Sequence, residues 1–226
     1  MNAPALSIVM PVLNEAGHLD ATLEALAPLQ QHGVELIVVD GGSDDDTLDK
    51  ARRYATTVCV SPRGRARQMN TGAAEAHGDV LLFLHADTQL PPDADRLVAQ
   101  AIARGAVWGR FDVTIQGQSA LLPVVAALMN IRSRWTGIAT GDQALFVQRD
   151  VFQHLGGFPD QPLMEDIELS RRLCRLSRPA CLRPKVTTSG RRWDTRGAWS
   201  TIFLMWRLRW RYWRGESAER LAEQYR

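Results

Sequence analysis

Cysteine is scarce in this chain of 226 residues: there are three, Cys59, Cys174 and Cys181, far apart and with no C-x-x-C pair. That pattern excludes a disulfide framework and a structural zinc site, and it suits a reducing cytoplasm in which each thiol is a small buried hydrophobe. A long apolar run is also missing. The longest, Ala120 to Met129, falls well short of the roughly 20 residues a spanning helix needs. The first residues show no basic segment followed by an apolar one, so no signal peptide is expected. Net charge is low at +2, which gives no reason to expect a nucleic-acid partner. The turn after the first apolar run, Pro11 to Gly17, lacks G-x-G-x-x-G, and no phosphate-cradling P-loop occurs anywhere, so the two commonest nucleotide-binding routes are excluded. Internal repeats, low-complexity segments and Pro/Gly/Ser-rich linkers are absent too, and a single main domain with an appended C-terminal element is the economical reading.

With 45% hydrophobic and 23% charged residues, the chain reads as globular. Short apolar runs occur at Leu6–Val12, Val34–Val39, Thr56–Val60 and Asp79–Leu84, and between and after them lie helical patterns at His18–Gln31, Asp44–Tyr54, Ala66–Ala76 and Asp93–Arg104. Near-continuous apolar strands alternating with amphipathic helices predict a mostly parallel α/β sheet, Rossmann-like and flanked by helices on both faces. Beyond Gly105 the pattern loosens: a strand is expected over Val107–Ile115, an apolar helix over Ala120–Trp135, a short strand over Ala144–Val147 and an amphipathic helix over Glu165–Leu176.

Ligands of such sheets sit beyond the carboxyl ends of the strands, and three of those ends are acidic: Asn14-Glu15, Asp40 followed by Gly41-Gly42-Ser43-Asp44-Asp45-Asp46, and His85-Ala86-Asp87. Crowded carboxylates repel unless a cation or hydrogen-bonding ligand lies between them. Oxygen ligands of this kind suit Mg2+ or Mn2+ with phosphate oxygens completing the shell. Asp44, Asp45 and Asp46 open a helix, and helix capping is their ordinary reading. Asp40 and Asp87 each end an apolar strand directly and are the stronger ligand candidates.

These segments, in order, resemble family 2 glycosyltransferases, an inverting group with the GT-A fold, over about residues 6–193. The carriers are Ile8-Val9-Met10-Pro11-Val12-Leu13-Asn14-Glu15; Val38-Val39-Asp40-Gly41-Gly42-Ser43; Gly64-Arg65-Ala66-Arg67-Gln68-Met69-Asn70; His85-Ala86-Asp87-Thr88; and Gly156-Gly157-Phe158 followed by Met164-Glu165-Asp166. The wording of the third and fourth segments looks like a compact bacterial subgroup. The resemblance implies a donor-nucleotide site built from Pro11, Asn14, Glu15, Asp40, Gly64, Arg65, Asn70, Arg192 and Trp193, with Asp40 on the base. It implies a divalent metal on Asp87, with His85 in place of the first Asp of a D-x-D, and catalysis by Asp166 as base with Glu165 binding sugar hydroxyls. The family's commonest donor is a UDP-sugar. Polymerising members carry Q-x-x-R-W where this chain has Ser189-Gly190-Arg191-Arg192-Trp193, so a single transfer to an acceptor hydroxyl is expected rather than processive synthesis. Two other readings remain open: a sugar-phosphate nucleotidyltransferase, which would carry a Gly-rich basic loop after the first strand, and a non-catalytic nucleotide-sugar binding protein.

The expected organisation is a catalytic domain over 1–193, its donor-binding half about 1–104 and its acceptor half about 105–193, followed by an amphipathic helical tail over 194–226. From Gly190 onward there are nine Arg against one Asp and three Glu, a local excess of +5. Trp199, Ile202, Phe203, Trp206, Trp210 and Trp213 recur at helical spacing, with Arg207, Arg211 and Arg214 on one flank and Arg209 on the other. Two outcomes are compatible with that stripe: an interfacial helix on an anionic membrane, or a helix docked on the core by its aromatic face with Arg stems snorkelling. The first would make the acceptor a lipid or lipid-linked molecule and would place a cytoplasmic enzyme at the inner face of the plasma membrane.

Overall fold

The computed structural model describes residues 5–225. Its strands are β1 (Leu6–Val12), β2 (Glu35–Asp40), β3 (Thr57–Val60), β4 (Val80–Phe83), β5 (Thr88–Gln89), β6 (Trp108–Gln116), β7 (Phe146–Gln148) and β8 (Ala180–Ser189). They form one sheet in the order β3-β2-β1-β4-β7-β6-β8-β5. The helices are α1 (Leu19–Glu24), α2 (Ala27–Gln31), α3 (Thr47–Tyr54), α4 (Arg65–Glu75), α5 (Ala94–Ala103), α6 (Leu122–Thr136), α7 (Arg149–His154), α8 (Glu165–Cys174), α9 (Arg191–Arg196), α10 (Ala198–Trp213) and α11 (Ala218–Tyr225).

Strand side chains alternate between two buried faces, which is why the strand sequences are apolar throughout. Ile8, Met10, Leu36, Val38 and Leu82 pack with Leu19, Leu23, Val98, Leu122 and Val125 of α1, α5 and α6. Val9, Ile37, Val39, Leu81 and Phe83 pack on the other face with Met69, Phe152, Leu169 and Leu173 of α4, α7 and α8. The expected helix over His18–Gln31 divides into α1 and α2, because Pro28 falls at the start of α2 and supplies no N–H to a continuing helix. The remaining expected elements appear with boundaries shifted by a few residues.

β1 to β4 run parallel, whereas β7 is antiparallel to both β4 and β6. The beginning of β7 therefore lies at the carboxyl edge of β4. β8, parallel to β6, was not expected from sequence. Its register jumps from Phe111 opposite Leu182 to Asp112 opposite Lys185. Arg183 and Pro184 are thus left out of the ladder in a bulge, as a residue without an N–H requires.

Three helices, rather than one, make up the tail. α10 docks by the face opposite its tryptophans: Leu208, with Leu221 of α11, packs on Leu163 and Met164 just before α8. The aromatic row stays outside, with Trp199, Phe203, Trp206, Trp210 and Trp213 between 57% and 81% exposed. This corrects the docked alternative, in which the aromatic face was to be buried. Ile202, expected in the same row, turns partly into the main core. A second exposed row runs along α6: Val124, Leu128, Ile131 and Trp135. Among the described residues no helix is long and apolar enough to cross a membrane.

Candidate active site

The loops after β1 and β2 form a frame held by its own polar groups. Asp40, 2% exposed, accepts hydrogen bonds from the Gly42 N–H (2.9 Å), the Ser43 N–H (3.0 Å) and the Ser43 hydroxyl. Asn14, in the left-handed region at φ 55°, accepts from the Asp44 N–H at 2.9 Å and donates its own N–H to Ser43 Oγ. Asp45 accepts from the Thr47 N–H and hydroxyl and so caps α3. Asn70 clamps Phe158 by both backbone groups, at 2.8 and 2.9 Å, and the amide of buried Gln68 ties the carbonyls of Val12 and Val39 together at 2.8 and 2.9 Å. Asp40, Asn14 and Asn70 thus have polar atoms committed to shaping the site. Pro11 sits inside β1 opposite Val39. Gly64, at φ 141°, begins α4 and lets Arg65 open that helix. Trp193 is partly buried and packs against the main core. Glu15 faces Arg191, with 3.6 Å between Oε2 and Nη2.

A second group of residues converges at the carboxyl edge. The loop after β4 carries His85 and Asp87, and the turn before β7 brings Asp142, whose Oδ1 lies 3.4 Å from His85 Nδ1. The approach is close enough that a Cβ on Gly141 would stand 2.3 Å from the His85 ring. The Gly141 N–H donates to Asp166 Oδ2 at 2.8 Å, so the first turn of α8 is tied to this loop. Glu165, 3% exposed, lies 3.7 Å from Arg65 Nη1. His85, Gly141, Phe158, Glu165 and Asp166 enclose a small cavity. A wider hollow lies beside Asp79 and Arg149 at the opposite edge of β4, away from these groups.

Charge is unevenly distributed here. Burial pushes the Glu165 carboxyl above its ordinary pKa, the neighbouring Asp166 charge adds to this, and Arg65 opposes both. Desolvation by the surrounding atoms works against the Asp142 carboxylate, although its side chain is 45% exposed, but His85 beside it, with Arg65 and Arg209, lowers its pKa below the ordinary value. Arg192 is lowered by burial and by Arg196 and Arg65, while Asp142 and Asp87 act in its favour. The charges of Arg65, Arg192 and Arg209 thus act on the acidic groups of this edge.

Among the described residues, no three histidine, cysteine or carboxylate groups converge into a cation cage. His85 and Asp87 share the loop after β4 and Asp142 stands against His85, donors whose chemistry suits Mg2+ or Mn2+ where phosphate and water supply most of the shell. Asp142 was missed at the level of sequence: the carboxyl ends of parallel strands mark ligand positions, but Asp142 precedes β7, which runs the other way. Arg209 was read only as a flank of the tail, and Arg132 lies in an apolar helical pattern with no motif to mark it.

The profile of the family described as Glycosyl transferase family 2 matches residues 7–150. "Probable glycosyltransferase YdaM" of Bacillus subtilis is 29% identical over 238 residues, covering 94% of this chain and 55% of that protein. The "PGL/p-HBAD biosynthesis glycosyltransferase Rv2957" of Mycobacterium tuberculosis is 32% identical over 175 residues, covering 70% of this chain and 64% of that one. The chain thus spans less than two thirds of the length of these relatives. The fold is that of GT-A glycosyltransferases. Staphylococcus aureus TarS (residues 1–349), in complex with UDP, superposes with a TM-score of 0.66 at 16% identity, over 81% of this chain and 60% of that one. The mannosyltransferase PcManGT from Pyrobaculum calidifontis, in complex with GDP-Man and Mn2+, gives 0.62 at 22% identity, over 82% and 57%.

Proposed function

The chain belongs to glycosyl transferase family 2, and we propose that it moves one sugar from a nucleotide diphosphate donor, a UDP-sugar, to an acceptor hydroxyl with inversion at the anomeric carbon. The observation that carries this reading is the tie between Gly141 and Asp166 at 2.8 Å, which brings a helix-borne carboxylate to the edge where His85, Asp87 and Asp142 gather. Asp166 takes the proton of the acceptor hydroxyl as its oxygen attacks C1 of the sugar. The C1–O bond to the diphosphate breaks, and the nucleoside diphosphate departs with the electron pair. Attack from the face opposite the leaving group inverts the centre. Arg65 and Arg192 supply positive charge to the departing diphosphate through charge-assisted hydrogen bonds. A divalent ion held by Asp87 and His85, with Asp142 against His85, would add Lewis-acid neutralisation of that same charge. Glu165, buried and paired with Arg65, receives a sugar hydroxyl. Asp40, Asn14 and Asn70 act by holding the donor loop in shape before the nucleotide arrives, which lowers the ordering cost of binding.

Family membership disfavours the nucleotidyltransferase alternative, and the intact Asp87, Glu165 and Asp166 disfavour a non-catalytic binder. The expected cytoplasmic location, at the inner face of the plasma membrane, goes with a peripheral membrane contact of the tail. The test is calorimetric titration of UDP and GDP, with and without Mn2+, on the wild type and on Asp87→Ala. Metal-dependent binding of UDP that is lost in the variant is the expected result. Binding of neither nucleotide under any condition overturns the donor site.

A further inference from the structure

Two arginines close to the base carry buried nitrogens without partners. Nε and Nη2 of Arg132 on α6, and Nε of Arg209 on α10, are shielded from solvent and make no hydrogen bond. Burial lowers the pKa of both. Arg132 is pushed down to about 10 by burial and by the Arg209 and Arg110 charges, against the pull of Asp166. For Arg209, Asp166 and Asp142 oppose the effect of burial. Buried cationic nitrogens left unpaired are costly, and an anion arriving between them removes that cost.

The same two helices hold nine of the eleven exposed large hydrophobic residues described in the chain. Such concentration is unlike the single scattered apolar residues of an ordinary surface. On α6 the row repeats at four, three and four residues; on α10 it repeats at four, three, four and three, so each row occupies one narrow face. Two links bring parts of these helices near each other, without packing one along the other. Just before α6, the Gln118 N–H donates to Asp194, just before α10, at 3.0 Å, and Arg132 of α6 feels the charge of Arg209 of α10. Arg207 and Arg214 are exposed along the aromatic row, and Arg214 stacks 5.2 Å from the Trp210 ring centre. Arg211, expected as a third flank, is paired with Glu216 instead.

Resting on the transferase reading above, we infer that the acceptor is an anionic lipid: its phosphate lies against Arg132 and Arg209 beside Asp166, while the α6 and α10 rows rest on the lipid surface that carries it. Exposed tryptophans bordered by arginine suit the boundary between anionic headgroups and acyl chains. The same arginines make a face-to-face pairing of two copies repulsive. Placing the acid group on the two helices that touch the membrane presents the lipid's hydroxyl to the base without extracting the chain from the bilayer.

The test uses the full chain. Co-sedimentation with phosphatidylcholine vesicles, with and without phosphatidylglycerol, is measured for wild type, Trp206→Ser/Trp210→Ser and Leu128→Ser/Trp135→Ser. The expected result is binding to the anionic vesicles alone, weakened about tenfold or more in each double variant. UDP titration of the same proteins serves as the fold control, and unchanged UDP binding with lost vesicle binding separates this surface from the donor site. Short-chain phosphatidic acid and inorganic phosphate are then titrated into wild type and Arg132→Gln/Arg209→Gln. Tighter binding of the lipid, lost in the variant, supports the inference. Equal binding of the two probes means a free-phosphate site and overturns it. Absent vesicle binding in a protein that binds UDP overturns it as well, as does a dimer in light scattering that the apolar substitutions dissolve. If UDP itself fails to bind, the transferase reading falls first.

Discussion

At 3% exposure, the Glu165 carboxyl is pushed up from its ordinary pKa first by burial and then by Asp166, with Arg65 pulling the other way. The folded protein therefore holds this proton to a higher pH than the unfolded chain does. Its effect on stability is absent below the ordinary carboxylate pKa, and destabilisation grows as pH rises from there through the raised folded value. Glu165→Gln is expected to raise the melting temperature at neutral pH by a few degrees and to flatten the pH dependence in that window, while sugar transfer falls; thermal scans across acid to neutral pH check this. Asp166→Asn keeps an oxygen for the Gly141 N–H but removes the proposed base. We expect kcat to fall about 10²–10⁴-fold with UDP affinity unchanged, read by steady-state kinetics and calorimetry. Side by side, Asp40 and Asp142 mark how far sequence reaches at this scale. That Asp40 ends an apolar strand was legible, but not that its oxygens bind its own turn. Asp142 was hidden because its nearness to His85 arises from strand direction, which local pattern does not encode.

α6 shows how one helix is fixed by polar groups inside an apolar core. Arg110, fully buried, pairs with Asp112, and Arg134 of α6 reaches the same carboxylate at 2.5 Å. Asn130 of α6 bonds the N–H and C=O of Val113 at 2.9 and 3.0 Å. This network locks the rotation of α6 and thereby turns its apolar row outward. Asp112→Ala leaves the Arg110 charge buried without its partner, and a loss of about 3–5 kcal/mol is expected, measured by urea denaturation. The first hundred residues were readable because both faces of those strands are covered, so the apolar runs are unbroken. β8 was not, because Arg183-Pro184-Lys185 interrupts its pattern at the bulge. For α10 the period was visible but its direction was not: sequence identifies an aromatic face, while the docking of Leu208 on Leu163 and Met164 depends on tertiary contacts.

Across the whole molecule, the tail and the catalytic segment behave as one packed unit. Met164, at φ 66°, is a non-glycine residue in the left-handed region, and a conformation of that kind persists only when its surroundings hold it. Leu208 and Leu221 are those surroundings. Leu208→Ala is expected to cost about 2–5 kcal/mol and to lower kcat, because the turn that opens α8 loosens. UDP affinity should stay near wild type, since the donor loop is framed by Asp40, Asn14 and Gln68 on other elements; kinetics beside UDP calorimetry decides. The same packing orders the assembly of the chain. β7 reaches β4 only once residue 148 has been made, and Leu208 reaches Met164 only once α10 is complete, so a domain that folds as a unit gains the support of its α8 turn last. On the transferase reading proposed above, transfer would wait for that final contact.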